Sequence, residues 1–112
     1  MSEPESPVCV ALTTCPDEGT ARRIASALVE ERLAACVNIV PDMTSVYRWE
    51  GVVETASECL LLVKTRRERL EALRRRLEEL HPYDLPELVA LPVEGGSSAY
   101  LKWVVEETGS AT

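Results

Sequence analysis

The chain has 112 residues, with 12 basic and 19 acidic side chains and a formal net charge of −7. This length predicts one domain, and the acidic balance argues against nucleic-acid binding, which depends on neutralising phosphates with basic side chains. No apolar run reaches the ~20 residues of a membrane-spanning helix, and acids stand where an export signal needs positive charge, so we expect a cytoplasmic protein.

The chain begins with a polar segment and then alternates between strand and helix patterns. Residues 1–7 lack apolar periodicity, which predicts a flexible N-terminal tail before a domain over 8–108. The apolar run Val8–Leu12 predicts a strand that is buried in a sheet. Apolar residues then recur at helical spacing, which predicts a first helix over about 17–34.

The middle of the chain has the pattern of a long β-hairpin. Strand-like residues cover 35–49, interrupted at Pro41, and proline confines a strand to a sheet edge or to a bulge. Glu50 and Gly51 suit a two-residue turn, and 52–64 form the returning arm. The sequence therefore predicts two arms of about 13 residues each, spanning roughly 43 Å at ~3.3 Å per residue.

The last part of the chain predicts two helices and one short strand. Residues 65–68 fit a capping box at the start of a second helix, which Pro82 forces to end at His81. A short strand is expected over 86–93, and residues 95–98 form a turn that caps a final helix.

The resulting order, β-α-β-β-α-β-α, predicts an α+β fold of the ferredoxin-like split β-α-β type. Both long helices would cover one face of an antiparallel sheet and leave the other face without a helix. The hairpin is longer than a compact chain of this size, about 35 Å across, can enclose. Its projecting tip carries Tyr47 and Trp49, and open strand edges favour pairing, so we expect a homo-oligomer.

The four cysteines include no C-x-x-C pair, which argues against a zinc ribbon or a thioredoxin-like site. Cys9, Cys36 and Cys59 lie in apolar runs and are expected in the core. Cys15 is expected to be the most exposed thiol, with a pKa lowered by the nearby helix start. His81, the single histidine, either binds a divalent metal with a carboxylate or thiolate, or bonds to local backbone at the helix end.

Other charged residues suggest binding surfaces, each with a simpler alternative. The arginines of the second helix alternate with glutamates, which favours a solvated, ion-paired face over a phosphate-binding one. Trp49, Glu58 and Lys64 could line a cleft between subunits, or could simply lie at the rim of an oligomer interface. No nucleophile or acid–base constellation is visible, so we expect a protein that is not an enzyme.

Five motifs, taken in order, resemble the CutA divalent-cation-tolerance family. Together they span nearly the whole domain, and they lie at 33–38, 45–51, 64–65, 81–87 and 100–103. The resemblance implies a homotrimer in which the long hairpins pair between subunits, similar in architecture to the PII signalling proteins. It further implies binding of divalent metal ions, copper above all, in the response to metal ions.

The proposed copper ligands of the family lie at the end of the first strand and around the His-Pro-Tyr motif. By this resemblance His81 is the principal metal ligand, and Cys15 is a second candidate. The alternative is a PII-like sensor, with a small molecule or protein in an inter-subunit cleft. A purely structural trimer is a third possibility. The cleft of the sensor hypothesis is lined by Trp49, Glu58, Lys64, Tyr83 and Glu87.

Overall fold

A computed structural model describes residues 6–109 of the chain. The predicted flexible tail over 1–7 lies mostly outside these residues and, like the domain limits 8–108, stays a prediction. A single 3₁₀ turn, Arg67–Arg69, precedes the second helix. The other elements are β1 (Val8–Cys15), α1 (Glu18–Glu30), β2 (Cys36–Trp49), β3 (Val52–Arg66), α2 (Leu70–Leu80), β4 (Val89–Pro92) and α3 (Ser98–Glu107).

The strands form one antiparallel sheet in the order β2-β3-β1-β4. Strand β3 therefore lies between β1 and β2, the split arrangement that the element order predicted. Side chains alternate between the two faces of each strand, and one face packs against both α1 and α2. The main core joins Ala11 and Leu61 of the sheet to Ile24 and Leu28 of α1 and Leu73 of α2. The prediction of an α+β fold is confirmed.

The opposite face of the sheet is only partly open, which corrects the expectation that no helix covers it. Helix α3 packs on one end of this face and buries Val104 against Val8. The rest is apolar and half exposed, with Val40, Val89 and Leu91 each between 42% and 50% accessible.

Several element boundaries differ from the predictions, and β4 covers Val89–Pro92 rather than 86–93. Helix α1 ends at Glu30 rather than near 34, because Arg32 adopts a left-handed φ of 59° and Leu33 N–H turns back to the Leu28 carbonyl at 2.9 Å. The predicted capping box over 65–68 is wrong. Thr65 belongs to β3, and its hydroxyl donates to the Leu33 carbonyl at 2.7 Å instead of capping a helix.

The long hairpin is confirmed, and both expected consequences of Pro41 occur together. Strand β2 lies at the sheet edge, and its pairing with β3 is interrupted by a bulge between Val40 and Met43. Glu50 and Gly51 have φ of 50° and 82°, as a type I′ turn requires. Beyond the end of β1 the two arms continue as a two-stranded ribbon over 43–58, and the molecule is 47 Å long.

Candidate functional site

A pocket of about 720 Å³ lies where β1 ends and the ribbon begins. One wall is the ribbon, and the other is the loop that follows α2, whose Tyr83 reaches Glu58 of β3. We call this cavity the ribbon pocket. It is lined by Thr14, Ser45, Val46, Tyr47, Trp49, Glu54, Glu58, Pro82, Tyr83, Asp84, Leu85 and Glu87.

His81 anchors the loop of the ribbon pocket to the end of β1. It ends α2 as the C-cap, because Pro82 excludes a further helical residue. Its Nδ1 accepts from Tyr83 N–H at 3.1 Å, so the ring proton lies on Nε2, which donates to the Thr14 carbonyl at 2.7 Å. The structure thus shows the backbone-bonded arrangement expected as the alternative to a metal ligand, with both ring nitrogens engaged.

Cys15 lies beside this histidine, although the two are 66 residues apart in sequence. Its Sγ is 3.9 Å from His81 Nε2, and the thiol is fully buried. Burial chiefly, and the nearby Cys59, Asp17 and Glu58 to a smaller extent, raise the pKa of Cys15 to about 12. The expectation of an exposed thiol with a lowered pKa is therefore wrong, and Cys36 is the least buried of the four cysteines.

The distance between Cys15 and His81 suits two ligands of one metal ion. Metal–sulfur and metal–nitrogen bonds of about 2.3 and 2.0 Å place two such atoms roughly 3.5 Å apart in a tetrahedral site. Coordination would require the thiol to lose its proton and the ring proton of His81 to move from Nε2 to Nδ1, which breaks the bond to the Thr14 carbonyl and the bond from Tyr83 N–H. Within residues 6–109, no group of three or more His, Cys, Asp or Glu side chains is placed to hold a metal ion.

A buried carboxylate forms the inner wall of the ribbon pocket. Glu58 is only 8% exposed, and its Oε2 accepts from the Tyr83 hydroxyl at 2.7 Å. Burial and this bond to an anionic group both raise the pKa of Tyr83, so the phenol stays a donor at neutral pH. Among the described residues, Glu58 forms no salt bridge.

The ribbon adds a second phenol and a second carboxylate. Tyr47 stands directly opposite Glu54 in the β2–β3 register. Burial raises the pKa of Tyr47, and the adjacent Glu54 raises it further. Sequence reasoning missed Glu54, yet the two-residue turn at 50–51 fixes the register that pairs it with Tyr47.

Four of the five residues predicted for a cleft do line one pocket, namely Trp49, Glu58, Tyr83 and Glu87. Lys64 does not. It lies six residues from Glu58 along β3, about 20 Å at ~3.3 Å per residue. Its ammonium donates to Asn38 Oδ1.

The arginines of α2 are arranged as an ion-paired face. Arg74 bridges Glu71 and Glu78, and Arg76 reaches Glu31 of α1 at 2.9 Å. This pairing supports the solvated-face interpretation over a phosphate-binding one. No helix within the described residues 6–109 is long and apolar enough to cross a membrane.

Comparison with protein families gives a match over almost the whole described chain. The family model described as CutA1 divalent ion tolerance protein matches residues 9–107. A divalent-cation tolerance protein CutA from Thermus thermophilus is 57% identical over 100 residues, covering 89% of this chain and 97% of that protein. Protein CutA from Homo sapiens is 47% identical over 105 residues, which span 94% of this chain and 59% of the human protein.

Solved structures match at the level of the fold as well. The divalent cation tolerance protein Cut A1 from Thermus thermophilus superposes with a TM-score of 0.90 at 56% identity, covering 91% of this chain and 99% of that one. A periplasmic divalent cation tolerance protein CutA from Archaeoglobus fulgidus gives a TM-score of 0.88 at 38% identity, covering 91% and 99%. The four-stranded sheet with three helices is therefore the arrangement of these relatives too.

Proposed function

Because the chain belongs to the CutA1 divalent ion tolerance protein family, we propose that it contributes to divalent-cation tolerance by binding such cations itself. We propose copper as the cation, since copper binds imidazole nitrogen and thiolate sulfur more tightly than magnesium or calcium does. His81 is the principal ligand in this proposal, and Cys15 is its partner. The role requires no catalytic step.

One observation carries the proposal: the Cys15–His81 pair and the ribbon pocket lie at the same end of the sheet. The pocket lining includes four carboxylates, those of Glu54, Glu58, Asp84 and Glu87, and no basic side chain. An acidic cleft raises the local concentration of cations. The softer donors, 3.9 Å apart beside it, would then hold an ion that displaces their protons.

Calorimetric titration with Cu²⁺ and Mg²⁺ at pH 7 tests this assignment. We expect Cu²⁺ to bind wild type and to bind at least tenfold more weakly to Cys15→Ser and His81→Gln. Glutamine keeps a donor toward the Thr14 carbonyl, so the loss would reflect the metal ligand rather than the fold. Cys36→Ser is the matched control, because it removes a thiol far from the pair. Equal affinity in all four proteins would refute the ligand roles.

We also propose that the working unit is a homotrimer, as the family resemblance implies. Support comes from the ribbon, where Val46 and Val53 are 68% and 59% exposed, and from the half-covered apolar sheet face. Light scattering should give three times the chain mass of 12.4 kDa. Val46→Lys with Val53→Lys should lower this mass, whereas Ser26→Lys on the exposed face of α1 should not. A monomeric wild type would contradict the proposal.

We propose a cytoplasmic location for this chain. Relatives named as chloroplastic, from Arabidopsis thaliana, and as periplasmic, from Archaeoglobus fulgidus, occupy other compartments. Cell fractionation would decide between them. None of the relatives reported above is named as a small-molecule sensor, so cation tolerance is preferred over that alternative.

A further inference from the structure

Two of the four cysteines face each other across neighbouring strands. Cys15, the last residue of β1, stands directly opposite Cys59 of β3 in the antiparallel register. Both thiols are free, and both side chains lie in the core between the sheet and the helices, at 0% and 5% exposure. After burial, the neighbouring Cys59 contributes most to the raised pKa of Cys15, because the two thiols lie close together. The copper proposal uses Cys15 and gives Cys59 no role.

The register places these two thiols within the span of a disulfide bond. Cα atoms of directly opposite residues in antiparallel strands lie about 4.5–5.5 Å apart, and disulfides join Cα atoms about 4.4–6.8 Å apart. The Cβ atoms of such a pair lie about 4.5–5.5 Å apart, against roughly 3.5–4.5 Å in a disulfide. Because Cys15 is the last residue of β1, only its own pair must adjust by the remaining ~1 Å.

Among residues 6–109, no other thiol stands opposite a second one. Cys9 precedes Cys15 by six residues on the same strand, about 20 Å at ~3.3 Å per residue. Cys9 stands opposite Thr65, whereas Cys36 stands opposite Lys64. Thr65 and Lys64 are consecutive in β3, so Cys9 and Cys36 point to opposite faces of the sheet. The geometry therefore singles out one pair.

Burial limits which oxidants can act on this pair. Dissolved oxidants react with exposed thiolates, and neither Cys15 nor Cys59 is exposed. A copper ion held by Cys15 would instead be in direct contact with one of the two sulfur atoms. Thiolate ligands favour Cu⁺, so a Cu²⁺ ion bound to thiolate gains stability by taking an electron from sulfur.

We propose that Cys15 and Cys59 form a cross-strand disulfide when Cu²⁺ binds, with two Cu²⁺ ions in succession as the oxidant. Two S–H bonds break and one S–S bond forms. The two protons pass to water, and each Cu²⁺ takes one electron and becomes Cu⁺. The proposal rests on copper binding at Cys15 and adds a redox reaction to it. Because the thiolate is the metal ligand, closing the bond also removes the sulfur donor and ends copper binding.

The test uses Cys9→Ser/Cys36→Ser, which keeps only the proposed pair, under nitrogen with two equivalents of Cu²⁺ per chain. We expect two Cu⁺ per chain, measured by bathocuproine added after the reaction, and loss of both free thiols in the denatured protein. Zn²⁺ has no redox chemistry and should leave both thiols intact. The matched control Cys15→Ser/Cys59→Ser keeps two thiols on opposite faces of the sheet and should form no bond within the chain.

Tryptic mapping of the wild-type chain locates the bond without any substitution. Trypsin releases one of the two cysteines in peptide 1–22 and the other in peptide 49–64. We expect Cu²⁺ to link these two peptides, with fragmentation placing the bond at Cys15 rather than at Cys9, and dithiothreitol to separate them. The oxidised chain, freed of copper, should bind Cu⁺ at least tenfold more weakly than the reduced chain.

Intact thiols after Cu²⁺, or a bond to a different peptide, would overturn the proposal. Calorimetry on Cys59→Ser, which keeps Cys15 and His81, separates this failure from failure of the copper site. If this variant binds Cu²⁺ while the wild-type pair stays reduced, copper binding stands and the disulfide is refuted. If the variant and the wild type both fail to bind copper, both proposals are refuted.

Discussion

Replacing His81 by alanine should destabilise the protein, because its ring joins two backbone groups at the end of β1. The substitution leaves the Thr14 carbonyl and the Tyr83 N–H without their partners, which lie at 2.7 and 3.1 Å from the ring. Each unsatisfied buried group costs about 1–3 kcal/mol, and partial access of water to the loop reduces the sum. We therefore expect His81→Ala to lower the free energy of unfolding by about 3 kcal/mol, a large share of a typical domain's ~5–15 kcal/mol.

A graded series of variants separates this structural role from loss of side-chain volume. Asparagine at position 81 can accept from Tyr83 N–H in place of Nδ1, and glutamine can donate to the Thr14 carbonyl in place of Nε2. Each should recover part of the lost stability in urea unfolding at a fixed protein concentration. If His81→Ala unfolds at the same urea concentration as wild type, the ring does not stabilise this corner.

Further predictions concern the thiol and the hairpin turn. The pKa of Cys15 is raised from 9.0 to about 12, so above pH 9 the unfolded chain releases a proton that the folded chain keeps, and stability falls as pH rises toward 12. Between pH 9.5 and 11, the free energy of unfolding should fall less steeply with pH in Cys15→Ala than in wild type, by about 1.4 kcal/mol per pH unit. Equal slopes in the two proteins would contradict the assignment. Glu50 has a left-handed φ of 50°, so Glu50→Asn should raise the unfolding free energy by about 0.5–1 kcal/mol. Gly51→Ala, at φ 82°, should lower it by about 1 kcal/mol, and no change in either variant would argue against the type I′ turn.

Local sequence signals predicted the elements and their order well, because apolar periodicity and turn residues act over a few positions. Pro41, Glu50 and Gly51 located the bulge and the turn correctly. The errors involve residues whose partners are distant in sequence. Thr65 has the sequence context of a helix cap, but its hydroxyl donates to the Leu33 carbonyl, 32 residues away, in a buried hydrogen bond. Arg32 adopts the left-handed conformation that follows α1, and because it is not a glycine, the sequence did not indicate that the helix ends there.

The site was harder to predict, because burial decides its chemistry. The position of Cys15 before a helix suggested a lowered pKa, but the sheet and helices that cover the thiol raise it instead. For Glu58 the sequence left open a cleft between subunits or the rim of an interface, and it did not indicate that Tyr83, from the loop after α2, would bond to a buried carboxylate. The sequence pattern does not indicate where that loop lies in the fold, so the burial of Cys15 and Glu58 could not be predicted from it.

The burial of the Cys15–His81 pair and the backbone bonds of the histidine affect the selectivity of the proposed cation role. With a thiol pKa of about 12, removing its proton at pH 7 costs about 7 kcal/mol, and a metal ion must also compete with the Thr14 carbonyl for His81. Magnesium and calcium bind sulfur and nitrogen too weakly to offset such a cost, whereas copper lies at the top of the affinity order for these donors. A buried thiol beside a histidine whose ring nitrogens are both engaged would therefore exclude the abundant divalent cations. It would admit only an ion that binds tightly enough to displace the proton and the carbonyl, which is the discrimination that copper tolerance requires.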